Sequence, residues 1–62
     1  MIRYKIEVET MAAKWYLRKE YLTYPQALKA LKMINFSKYG EIGEYLVRVY
    51  QFEDEKRIKL MS

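Results

Sequence analysis

Cysteine and histidine are both absent from this 62-residue chain. Without cysteine there is no disulfide and no thiolate metal site. Without histidine the commonest metal ligand and the usual general base are missing too. Serine occurs only at Ser37 and Ser62, so no nucleophile–base triad can be assembled. Gly40 and Gly43 are the two glycines, and alone they do not form a phosphate-cradling loop. No apolar run reaches membrane-spanning length. Residues 1–20 alternate apolar with charged side chains and lack the apolar stretch of a signal peptide. These absences lead to the expectation of a single domain over residues 1–62, cytoplasmic, with no enzyme activity, no cofactor and no membrane partner.

What is present is a composition that folds. Hydrophobic residues make up 52% and aromatic residues 16%, with seven tyrosines. A chain this short buries only ~60% of its unfolded surface, so it needs a supplement to its core. With disulfides and thiolate metals excluded, self-association is the route left, and tyrosine suits interfaces as well as cores. Twelve Lys and Arg against eight Asp and Glu give +4 and favour an anionic partner.

Residues 2–9 place Ile2, Tyr4, Ile6 and Val8 on one face and Arg3, Lys5, Glu7 and Glu9 on the other. This period of two predicts a half-buried strand. Residues 10–14 read as a hairpin loop. Residues 15–22 follow as a second strand, with Trp15, Leu17 and Tyr21 toward the core and Lys19 out of register. Thr23 followed by Gln26 has the form of a capping box, and Pro25 falls in the first turn, where its missing donor costs little. A helix is expected from Tyr24 to Phe36 with Ala27, Leu28, Leu31 and Ile34 as its apolar stripe. Residues 37–44 hold both glycines and read as a loop. Residues 45–53 are β-branched and aromatic, a third strand. A turn at 53–55 leads to a last strand, 56–61, with Ile58 and Leu60 on one face and Arg57 and Lys59 on the other. The economical layout is α+β, in the order β-β-α-β-β, with one helix on one face of a four-stranded, mainly antiparallel sheet.

On the third strand Tyr45, Val47 and Val49 suit the helix side, which turns Leu46, Arg48, Tyr50 and Phe52 the other way. That second face is too apolar for open water. Tyr16, Arg18 and Glu20 join it from strand two. The candidate binding surface is therefore Tyr16, Arg18, Arg48, Tyr50 and Phe52. Tyr, Phe and Arg are the residue types enriched at protein interfaces, which makes a protein contact, including self-association, the leading expectation. An anionic nucleotide held at a subunit boundary, with arginine forked onto phosphate, is a separate expectation for the same residues. Single-stranded RNA or DNA stacked on the aromatics is the alternative, and cross-strand bracing of the sheet is the plainest reading. A second candidate patch, Lys29, Lys32, Met33 and Phe36, lies on the outer side of the helix.

The Trp-bearing strand, the helix opening Thr23-Tyr24-Pro25-Gln26-Ala27-Leu28 and the strand Tyr45-Leu46-Val47-Arg48-Val49 together resemble small phage-encoded inhibitors of the host-takeover and anti-defence kind. Phage inhibitors of bacterial RNA polymerase are similar in layout. The resemblance spans Trp15 to Tyr50, and this chain adds a fourth strand and more positive charge. It implies a protein that acts in the host cytoplasm by blocking a host protein, or by sequestering a nucleotide signal as a homo-oligomer. Arg48 is the position it singles out.

Overall fold

The computed structural model describes residues 1–34 and 45–62. Its elements are β1 (Ile2–Thr10), β2 (Lys14–Tyr21), α1 (Tyr24–Ile34), β3 (Tyr45–Glu53) and β4 (Lys56–Leu60), in the expected β-β-α-β-β order. All strands join one sheet in the order β2-β1-β3-β4, and every neighbouring pair is antiparallel. The two most regular alternations, β1 and β3, take the centre. They pair over their whole length, from Ile2 opposite Glu53 to Thr10 opposite Tyr45.

The helix lies on one side of the sheet against β1, β2 and β3. Ile6, Val8 and Val49 are fully buried beneath it with Ala27. The small Ala27 side chain lets the helix approach the sheet, and larger side chains pack around the contact. Tyr4, Tyr21, Tyr24, Leu17, Val47 and Met61 are among them. Thr23 caps the helix: its Oγ1 accepts the Gln26 amide at 3.4 Å, and its carbonyl accepts the Ala27 amide at 3.3 Å.

The helix is described to Ile34, and its expected end at Phe36 lies outside the described residues. Three details differ from the expected layout. The buried stripe of the helix runs through Tyr24, Ala27, Ala30, Leu31 and Ile34 and omits Leu28. Leu28 stands about 100° around the axis from Ala27, on the shoulder of the stripe. Trp15 faces Val8 from the edge strand, yet it remains partly exposed instead of joining the core. The third difference is a bulge in β4. Phe52 pairs with Arg57 but Gln51 pairs with Lys59, so Ile58 is an extra residue. The bulge exchanges the faces of everything beyond it: Leu60 comes opposite Tyr50 on the side away from the helix, and Lys59 moves to the helix side.

An irregularity in β2 resolves the Lys19 problem. Glu7 pairs with Tyr16 and Lys5 with Glu20, so residues 17–19 stand against Ile6 alone. Leu17 turns inward while Lys19 stays outside, its ammonium 5.8 Å from the Tyr21 ring centre.

The hairpins are held locally. In the β1–β2 loop the Thr10 hydroxyl oxygen accepts the Ala12 and Ala13 amides at 3.2 and 3.1 Å. In the β3–β4 turn Asp54 adopts φ 55°, a conformation that Asp tolerates better than most residues. Its carboxylate meets the N-terminal ammonium at 2.9 Å. On the helix side, Tyr24 Oη contacts Ser62 Oγ, which links the helix start to the residues after β4.

Candidate functional site

The side of the sheet away from the helix is built from the polar phase of β1 and the second phase of β3. The long β1–β3 ladder sets Arg3 opposite Phe52, Lys5 opposite Tyr50, Glu7 opposite Arg48 and Glu9 opposite Leu46. The edge strands extend these rows. Tyr16 lies opposite Glu7, Arg57 opposite Phe52 and Leu60 opposite Tyr50.

Three predicted site residues meet. The Tyr16 ring reaches Phe52 edge-on, with centres 5.3 Å apart and planes at 89°, and it lies 6.2 Å from Tyr50. Such tilted pairs place a positive ring edge against a negative ring face. Two cations complete the cluster. Lys5 Nζ sits 4.5 Å from the Phe52 ring centre and Arg57 Cζ sits 4.6 Å from that of Tyr50. Arg57 also donates to the Tyr16 hydroxyl at 3.2 Å. Phe52 is consequently only 5% exposed. Its edge-on neighbour and overlying lysine leave no free ring face for a base to stack on.

Arg48, the residue singled out by the resemblance, sits beside this cluster and is already occupied. Its Nη1 donates to Glu9 at 2.8 Å and to Glu7 at 3.0 Å. The Glu7 residue is 2% exposed, and its other carboxylate oxygen lies 3.9 Å from Arg57. The Arg48 hydrogen bond, reinforced by the charges of Arg48 and Lys14, holds the Glu9 carboxyl below its ordinary range against the opposing effect of partial burial. Hydrogen bonds to Glu9 and Glu7 push the Arg48 guanidinium upward. The bond to Tyr16 is the first cause of a rise at Arg57. Each shift fixes the charged form more firmly. A general acid or base needs the reverse, a group tuned toward the working pH.

Arg18 does not join the cluster; it stands exposed in the irregular stretch of β2. On the helix, Lys29, Lys32 and Met33 are all exposed on the outer side, while their companion Phe36 lies outside the described residues. Two apolar side chains remain open on the sheet face: Leu46 is 57% exposed and Leu60 56%. Sequence reasoning missed Leu60 because the bulge is set by pairing. It also missed the ion-pair partners of Arg48. The parity of Glu7 and Glu9 already placed them on this face, and only the adjacency of β1 and β3 was lacking.

Among the described residues no cluster of acidic side chains is placed to hold a metal ion, and no helix is long and apolar enough to cross a membrane. No protein-family model, curated protein or solved structure matches the chain.

Proposed function

We propose that this protein acts by binding, and that the open sheet face is the surface it uses against another protein. In this reading it is a small inhibitor of the phage type that its sequence resembles, working in the cytoplasm of a host cell. The carrying observation is the pair of leucines, Leu46 and Leu60, left more than half exposed on a face whose Tyr16, Tyr50 and Phe52 rings are locked together. Two exposed leucines beside a pre-set array of charges suit a partner with a matching surface: apolar contact supplies affinity and the fixed charges supply register. The same face could join copies of this chain, which would supply the burial that the small core lacks.

The arrangement favours a protein over a nucleic acid or nucleotide. Phosphate would have to displace two carboxylates from Arg48, and a base would have to part Phe52 from Tyr16 and Lys5. Titration with labelled oligothymidylate across a salt series tests this choice. The expected result is weak binding, unchanged by Arg48→Ala. Tight binding with a log–log salt slope of about −0.7 per phosphate contacted, abolished by Arg48→Ala, would instead establish the single-strand reading.

A further inference from the structure

The outer edge of β4 is a second surface, distinct from the open face. β4 ends the sheet, and among the described residues only β3 pairs with it. All five of its residues are exposed. One line of its backbone donors and acceptors therefore faces outward, ready to extend the ladder. Among the described residues the helix packs chiefly on β1, β2 and β3, and the side chains of β4 are exposed on both of its sides. The strand reads Lys56-Arg57-Ile58-Lys59-Leu60, three cations and no acid. The pairing turns Lys56 and Lys59 to the helix side and Arg57 and Leu60 to the open side.

This charge pattern selects among occupants. A second copy pairing antiparallel about Ile58 would bring Arg57 of one chain against Lys59 of the other, and like charges directly opposite are unfavourable. A nucleic acid could meet the cations but cannot continue a backbone ladder. An extended acidic peptide satisfies both requirements. The opposite edge, β2, is a poorer match for an acidic segment, since it carries Glu20 among its cations.

From these observations we infer that β4 takes up an extended acidic segment of a partner protein as a fifth, antiparallel strand. Alternating acidic and β-branched residues fit best: acids set against Lys56 and Lys59 on one side, and an apolar side chain set beside Leu60 on the other. Arg57 is held by Tyr16, Tyr50 and Glu7, so it presents its charge in a fixed position. The inference shares Arg57 and Leu60 with the open face but rests on backbone pairing at the edge of β4.

The test is a fluorescence titration of the whole chain with a labelled eight-residue peptide of alternating Glu and Val, with amide hydrogen exchange measured on the complex. Saturable binding is expected, with exchange slowed in β4 more than elsewhere. The double substitution Lys56→Gln, Lys59→Gln should weaken binding by about tenfold, as the attraction is lost. Neither lysine makes an ion pair or side-chain hydrogen bond among the described residues, and glutamine sets no like charge against Glu53 or Gln51 across the ladder, so the variant should melt with the wild type. Three results would each overturn the inference: no binding, equal binding of a peptide in which alternate residues are proline, or equal binding of oligothymidylate of the same charge. Loss of peptide binding in Leu46→Asp but not in the lysine variant would also overturn it, by placing the peptide on the open face and leaving that face's role intact.

Discussion

Arg48 illustrates how a residue's neighbours decide what its charge can do. Its place on the open face was legible in the alternation of β3, but its neutralisation by Glu7 and Glu9 was not, because that depends on which strands are adjacent. Glu9 carries a testable consequence. Its folded carboxyl titrates below the ordinary value of 4.5, drawn down first by the Arg48 hydrogen bond. The stability it contributes is present above that value and is lost as pH falls through the lower, folded one. Urea midpoints measured between about pH 6 and pH 3 should fall less steeply in Glu9→Gln than in the wild type; parallel curves would contradict the linkage. Glu7 is the more costly residue to remove. It is buried and hydrogen-bonded to Arg48, so Glu7→Ala should destabilise the fold by about 1.5–3 kcal/mol in equilibrium unfolding. A loss of a few tenths would mean that the ion pair contributes little.

At the scale of elements, all four strands were readable, but the facing of the two edge strands was not. β1 and β3 show their buried faces as a strict alternation, and they became the centre of the sheet. The bulge at Ile58 and the irregularity at residues 17–19 come from pairing geometry, which one strand's pattern does not contain. That is why alternation alone sets Leu60 on the helix side, whereas pairing with Tyr50 turns it to the open side. The helix was legible from Thr23 and its apolar spacing, though the stripe is centred nearer Ala27 and Leu31 than Leu28. Leu31→Ala should therefore cost about 2 kcal/mol or more and Leu28→Ala clearly less. Equal losses in thermal or urea unfolding would place the stripe where the sequence alone put it. In the β3–β4 turn, Asp54→Ala should cost about 1 kcal/mol, because alanine tolerates the positive φ poorly. Little of that comes from the exposed contact with the N-terminal ammonium, so raised salt should leave the difference nearly unchanged.

For the molecule as a whole, the helix completes a small core on one side of the sheet and leaves the other side with an aromatic–cation cluster between open leucines. The candidate surface was half legible: Tyr16, Tyr50 and Phe52 do come together, while Arg18 stands apart and Phe52 is covered. The central claim is that this face is where the protein meets its partner. Native mass spectrometry of the chain purified without denaturation from a bacterial host, alone and as the double substitution Leu46→Asp, Leu60→Asp, tests it most directly. Both leucines are exposed, so the substitutions should leave the fold intact. The wild type should travel in a complex, with copies of itself or with a host protein, and the double variant as the free chain. A wild type that is itself the free chain, or a complex that survives both substitutions, would contradict the claim.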